Sequence, residues 1–299
     1  MLPAFRFLAP AKINLFLHVV AQRSDGYHEI ETVFQFLDIH DTLTVEPNDS
    51  GIVVRKDEHD YPIPDDDLVT QAAAILKSLA RASGHPRANS LGATITLKKV
   101  IPPGSGLGGG SSNAATTLLA LNALWELGLT RQQLQYHALQ LGADVPVFIY
   151  GQSCWAEGIG EQLSPFTPPE VWFCLMIPDV HVSTQAVFTH PDLIRNHPRQ
   201  NRGEGIANAG TAMDISATTN DLENVTRRLA PLVDELLNQY AHKNARMSGS
   251  GCSVFVPCKT EEEASELASM FQSQSNIRGN AFVTKGCNIH PHIDLVANT

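Results

Sequence analysis

Pro102-Pro103-Gly104-Ser105-Gly106-Leu107-Gly108-Gly109-Gly110-Ser111-Ser112-Asn113-Ala114 decides how this chain is read. The run leads from a strand-like stretch, Ala93-Thr94-Ile95-Thr96-Leu97, through a glycine loop into an apolar segment that predicts a helix from Ser112 to Leu127, capped by Gly128. Glycine lets successive backbone N–H groups turn toward one anion without a Cβ in the way, and a helix opening near Ser112 adds its positive dipole end. The loop therefore predicts a triphosphate site. The spacing Gly104-x-Gly106-x-x-Gly109 also fits a dinucleotide fingerprint, but that fold needs a strand after the helix with an acid about 20 residues on. Here Glu126 falls inside the helix, and Gly128-Leu129-Thr130-Arg131-Gln132-Gln133 opens a second helix. A Walker loop would end in Gly-Lys-Ser/Thr, and this one ends in Gly110-Ser111-Ser112. A flexible linker would not be bracketed by a strand and an apolar helix.

At 299 residues with 43% apolar and 17% charged residues, the chain has the length of about two domains and the make-up of a well-cored globular protein. No apolar run reaches the roughly 18 residues of a membrane span, and Met1-Leu2-Pro3-Ala4-Phe5-Arg6 lacks the form of a signal peptide, so a cytoplasmic protein is expected. Cys154, Cys174, Cys252, Cys258 and Cys287 are odd in number and without C-x-x-C spacing, which predicts reduced packing residues rather than disulfides or zinc. A net charge of −10 repels nucleic acid at long range, so an anionic ligand must meet local cations, with Lys98-Lys99 and Lys12 as candidates. His290-Pro291-His292 lacks ligand spacing and is expected at the surface.

Strand-like alternation covers Phe5 to Leu8, Ile13 to Val20, Glu31 to Phe36, Thr42 to Val45 and Ile52 to Val54. A helix is expected from Asp67 to Ser83-Gly84, with Leu68, Ala72, Ile75, Leu76 and Leu79 on its buried face. Another is expected from Thr130 to Leu141, with Thr130 and Gln133 as a capping box. Prolines 165, 168 and 169 mark a boundary, giving an N-terminal domain over 1–167 and a C-terminal domain over 168–299. The segment 196–219 is expected to be a long loop, followed by helix 221–240, strand 247–256, helix 261–271 and strand 281–285.

Three further segments carry chemistry. In Pro10-Ala11-Lys12-Ile13-Asn14-Leu15, period two puts Lys12 and Asn14 on one strand face, open either to a site or to solvent. Leu141-Gly142-Ala143-Asp144-Val145-Pro146 sets an acid in a tight turn, as a functional carboxylate or a helix cap, with Val145 expected to be extended before proline. Ser248-Gly249-Ser250-Gly251 is a second glycine turn entering a strand. Phosphoryl transfer needs a cradle, a cation and a carboxylate to handle the proton of an attacking hydroxyl. The loop, Lys12 and Asp144 supply one each.

Pro10-Ala11-Lys12-Ile13-Asn14, Gly106-Leu107-Gly108-Gly109-Gly110-Ser111-Ser112-Asn113-Ala114 and Ser248-Gly249-Ser250-Gly251 resemble, in order, the three motifs of the GHMP small-molecule kinases. Arg23-Ser24-Asp25-Gly26-Tyr27-His28, the Gly142 to Pro146 turn and Asn220-Asp221-Leu222-Glu223 are similar to the branch acting on a cytidylyl ester of methylerythritol in non-mevalonate isoprenoid biosynthesis. The resemblance implies an α+β, two-domain kinase, with a sheet-rich N-terminal ATP-binding domain around a buried central helix and a smaller α+β C-terminal domain. It implies ATP with Mg²⁺ as co-substrate and no prosthetic group, nucleic acid or membrane partner; monomer and homodimer stay open. It implies phosphorylation of the substrate's 2-hydroxyl, with Asp144 as base and Lys12 as its electrostatic partner. ATP would lie on Pro102 to Ser112, Lys99 and Asp67, and the second substrate on Asn14, Tyr27, His28, Phe188, Gly249 and Gly251. Ser105 stands where glycine or alanine is expected, and Asp67 where asparagine is expected near the adenosine. Two alternatives remain. A mevalonate, homoserine or sugar kinase would not need Tyr27-His28, and a non-catalytic nucleotide-binding regulator would not need Lys12 with Asp144.

Overall fold

The early strand-like segments merge into two long strands and one short one. β1 (Phe5–Gln22) and β2 (His28–Asn48) run antiparallel, and β3 (Val53–Asp57) follows. The structure, a computed structural model, describes residues 3–58, 67–200 and 218–296. Pro10 does not break β1, because the pairing to β2 shifts register between Pro10 and Ala11 and absorbs the missing donor. Residues 9–19 of β1 are buried without interruption, so both strand faces are covered. On β2, period two then divides the interior: Val33 and Leu37 enter one core, Phe34 and Phe36 the other.

The first core packs α1 (Leu68–Ala82), β4 (Gly92–Lys98), α2 (Gly109–Leu124), α3 (Arg131–Ala138) and α4 (Val145–Tyr150) against that sheet, with β5 (Cys154–Glu157) and β6 (Gln162–Pro165) at its side. The second holds β7 (Trp172–Pro178), α5 (Thr184–Thr189), α6 (Glu223–Leu229), α7 (Pro231–Gln239), β8 (Arg246–Met247), β9 (Val254–Cys258), α8 (Glu261–Gln272) and β10 (Gly279–Cys287). Gly286 and Cys287 of β10 pair with Leu37 and Phe36 of β2, joining all strands into one ten-stranded sheet.

Several expected boundaries move for identifiable reasons. α2 opens at Gly109, inside the glycine run, and ends at Leu124, short of Gly128. Glu126 adopts φ +57, its N–H reaches Ala123 O and the Leu127 N–H reaches Asn122 O, which makes a Schellman closure on a non-glycine residue. Asn122 secures it, accepting from Leu129 N and donating to Leu129 O at 3.0 Å each. α3 has the expected Thr130–Gln133 capping box but stops at Ala138. Val145 is not extended but opens α4, where Pro146 falls in the first turn and its missing N–H is no loss. The helix expected over 221–240 breaks at Ala230, since Pro231 starts α7. The buried face of α1 is Val69, Ala72, Ala73, Leu76 and Ala80, rotated slightly from expectation. His290 is a core residue at 1% exposure rather than a surface one, its ring edge-on to Phe36, and His292 Nε2 accepts from the Leu8 N–H. The loop expected over 196–219 falls largely on 201–217, outside the described residues.

The cysteines are free thiols, and burial pushes those of Cys154 and Cys174 up to about 12. Among the described residues no helix is long and apolar enough to cross a membrane, and no cluster of His, Cys, Asp or Glu could hold a metal ion.

Candidate active site

β1 and the glycine loop meet through the Lys12 N–H, which donates to Leu107 O at 2.9 Å. The loop must therefore run beside the Lys12 side chain. A Cβ on Gly108 would lie 3.1 Å from Lys12 Cγ and Cε and 2.9 Å from Phe148 Cζ, so this position is restricted to glycine by contact as well as by its φ of +72°. Gly104, Gly106 and Gly108 all adopt positive φ, and Gly108 is the N-cap of α2 without a side-chain cap bond. The first-turn N–H groups of this 16-residue helix thus have no side-chain partner and can face an anion. Ser112 Oγ, in the same first turn, is buried without a hydrogen-bond partner.

Lys12 Nζ lies 2.8 Å from Asn14 Oδ1, 3.0 Å from Asp144 Oδ2 and 4.9 Å from the Phe34 ring centre. The Lys12 side chain is 4% exposed and that of Asp144 39%, so the cation is interior and the carboxylate reaches solvent. A buried ammonium needs such partners, because desolvation costs several kcal/mol. Asp144 occupies the N-cap position of α4 yet makes no cap bond; of its two sequence readings, the geometry favours a carboxylate directed at Lys12. The Lys12 and Asn14 face is not a solvated one. Asn14 Nδ2 donates to Thr32 Oγ1 at 2.9 Å and the Asn14 N–H to Ser248 Oγ at 3.2 Å, tying the pair to the third motif.

That third motif packs directly on the glycine loop. A Cβ on Gly106 would stand 2.9 Å from Ser248 O and 3.0 Å from Gly251 Cα, and Ser253 Oγ donates to Ser105 O at 2.5 Å. Glycine at 106 is demanded by this backbone contact, before any ligand is considered. Asn220 holds the turn from behind, donating to Met247 O at 3.0 Å and Gly249 O at 2.8 Å, while Asp221 Oδ2 accepts from Val19 N at 2.8 Å. Asn220-Asp221 is therefore a brace between β1 and the Ser248 to Gly251 turn.

Between these pieces lies a cleft of about 440 Å³ whose walls include Lys12, Asn14, Asp144, Pro102 to Gly106, Gly108 to Ser111, Phe188, Gly249 and Ser250. A larger hollow of about 540 Å³ beyond Asn220 and Asp221 holds none of the loop and neither Lys12 nor Asp144, so of these two the three motifs converge on the smaller cleft alone. Other expected residues stand off it. Lys99 is paired with Asp41 at 2.6 Å, and Asp41 also accepts from Val100 N and Ile101 N, fixing the loop's entry. Asp67 is the N-cap of α1, accepting from Val69 N at 2.6 Å and pairing with Arg55 at 2.5 Å; its neighbour Leu68 reaches the cleft instead. Leu107 is buried, Gly251 is packed on Gly106, and Tyr27 is 59% exposed in the β1–β2 turn. His28 is buried beside Phe188, with ring centres 5.2 Å apart, and burial together with the Arg195 charge holds its imidazole below the usual histidine range.

Sequence reasoning did not single out Asp41, Thr32 or Arg195. Asp41 has a local signal, an acid on a strand position where its neighbours by period two, Ile39 and Leu43, are apolar. Thr32 and Arg195 have none, since the partners that give them meaning, Asn14 and His28, are distant in the chain.

A family model described as GHMP kinases N terminal domain matches residues 67–152, and one described as GHMP kinases C terminal matches 200–276. The chain is 43% identical over 293 residues to the 4-diphosphocytidyl-2-C-methyl-D-erythritol kinase of Thiobacillus denitrificans, covering 97% of this chain and 98% of that protein. It is 39% identical over 289 residues to the kinase of the same name from Aliivibrio fischeri, covering 96% and 93%. The crystal structure of a 4-(cytidine 5'-diphospho)-2C-methyl-D-erythritol kinase superposes with a TM-score of 0.75 at 33% identity, covering 95% of this chain and all of that one. With its α+β fold, its three motifs in order around one cleft and relatives matched along nearly their whole length, the chain belongs to the 4-diphosphocytidyl-2-C-methyl-D-erythritol kinase family of GHMP kinases.

Proposed function

We propose that this kinase transfers the γ-phosphoryl group of ATP to the 2-hydroxyl of 4-diphosphocytidyl-2-C-methyl-D-erythritol. The observation that carries the mechanism is the Lys12–Asp144 pair, 3.0 Å apart on the wall of a cleft that also contains the uncapped start of α2. The loop N–H groups and the helix dipole bind the phosphates. Asp144, with its carboxylate partly exposed to the cleft, accepts the proton of the attacking hydroxyl. Lys12 keeps that carboxylate oriented and offsets negative charge as the phosphoryl group moves, and Asn14 fixes the ammonium.

Magnesium would neutralise charge on the β- and γ-phosphates and retain several waters. The donor set fits an ion carried on the nucleotide, because the described residues contain no acidic cluster to hold one unaided. Ser112 Oγ, one of the buried unpartnered oxygens at the start of α2, would supply a ligand to it. Phe188 and Tyr27 would stack on the cytosine, with His28 reading its edge. A coupled assay of ATP turnover with and without the cytidylyl alcohol tests the whole reading. Turnover should depend on that alcohol, and equal activity with mevalonate, homoserine or a free sugar would overturn it.

A further inference from the structure

One guanidinium gathers the corner where His28 and Phe188 meet. Arg195 Nε donates to His28 Nε2 at 3.0 Å, one terminal nitrogen donates to Leu193 O at 3.0 Å, and the other to Phe188 O at 3.0 Å and His190 O at 2.8 Å. Phe188 and His190 belong to the C-terminal end of α5, where helix carbonyls lack intrahelical donors, so the guanidinium satisfies that end while gripping the imidazole. A guanidinium can only donate. His28 Nε2 must then be an acceptor, and the single proton of a neutral imidazole resides on Nδ1. The depressed basicity of His28 agrees with this geometry. Nδ1 has no hydrogen-bond partner among the described residues, and His28 as a residue is 7% exposed beside Phe188, which lines the cleft.

We infer that Arg195 is a positioning residue that fixes the tautomer of His28 and thereby sets which pyrimidine the cleft accepts; this rests on the cytidylyl reading above. An Nδ1–H donor pairs with the bare N3 of cytosine. Uracil carries a hydrogen on N3, so donor would face donor and leave a buried group unpaired. Held in the other tautomer, His28 would lose this preference. Arg195 also keeps the Phe188 ring and the imidazole in one cluster, so a single side chain sets both the stacking surface and the polar edge.

The test compares the full-length protein with Arg195→Leu and Arg195→Lys, using nitrogen NMR of the histidine rings together with kcat/KM for cytidylyl and uridylyl analogues. In the parent protein His28 should carry its proton on Nδ1. Arg195→Leu should shift it toward Nε2 and lower the cytidylyl preference about tenfold with KM for ATP unchanged, whereas Arg195→Lys, which keeps a donor, should retain most of both. A merely structural role would alter stability without moving the tautomer. A proton on Nε2 in the parent protein overturns the inference even if Arg195→Leu does not fold. A tautomer that shifts while the preference persists also overturns it. His28→Ala then separates the two readings: preference lost there leaves the cytosine site standing, and preference kept removes that site too.

Discussion

Residues 102–106 and 108–111 form their wall of the cleft from one continuous loop, whereas the corner around His28 is gathered from the start of β2, the end of α5 and Arg195 beyond it. In the first region glycine is required where another backbone comes within about a van der Waals contact, and no side chain can substitute for that room. In the second, side chains hold one another, and each contributes a separable increment. The two walls should therefore respond differently to mutation: the loop in an all-or-none way set by the space for a Cβ, the corner in graded steps.

The largest expected effect falls where the walls meet. Asp144→Asn should lower kcat by about two to four powers of ten with ATP affinity changed only a few fold, because proton handling is lost and the loop is untouched. Near-normal turnover would show that the carboxylate is not the base. Next comes a pair within the loop. Gly106→Val places a branched side chain at φ +80° against Ser248 O and Gly251 Cα, so it should cost about 3 kcal/mol of stability and nucleotide affinity with it. Gly110→Ala meets only Leu68 Cδ1 at 3.9 Å and should melt like the parent. Equal behaviour of the two, by calorimetry, would remove the Cβ argument.

At the corner, Phe188→Ala should raise KM for the cytidylyl substrate by an amount equivalent to roughly 1 to 2 kcal/mol and spare ATP, since one stacking face is lost. Tyr27→Ala should do less, as the residue is 59% exposed and must be recruited by the ligand. A collapse in either variant as complete as that of Gly106→Val would mean the corner is not graded. The smallest effect is in pH. Burial and the neighbouring Arg195 lower the His28 pKa, so the neutral ring should persist as pH falls through about 6.5, the ordinary histidine value. KM for the cytidylyl substrate should stay flat across that point and rise only in more acid solution. An inflection near 6.5 that His28→Ala abolishes would contradict this.

The same contrast explains what the sequence made legible. The glycine run, the Lys12-x-Asn14 alternation and the Thr130–Gln133 capping box are local patterns, and each has its expected local counterpart in the structure. Boundaries failed for two reasons: Asn122 and Leu129 let Glu126 rather than Gly128 close α2 through a local network without a glycine signature, and sheet pairing with a register shift carries β1 through Pro10. The ion pairs of Asp67 and Lys99 were hidden because their partners, Arg55 and Asp41, come from β3 and β2. Arg195 was invisible for the same reason, since its meaning depends on a histidine 167 residues earlier.

The pairing of β10 with β2 has a consequence for how the molecule comes into being. A ribosome releases β2 long before β10, so Leu37 and Phe36, paired on one side with Ala11 and Lys12 of β1, meet Gly286 and Cys287 on the other side only late. Until then the stretch of β2 between its pairings to β5 and β4 stands open, an invitation to pair with another chain. Closure over so long a stretch of sequence is slow, because loop entropy must be overcome before the contact forms. The nascent chain thus carries an unjoined central seam until β10 has emerged.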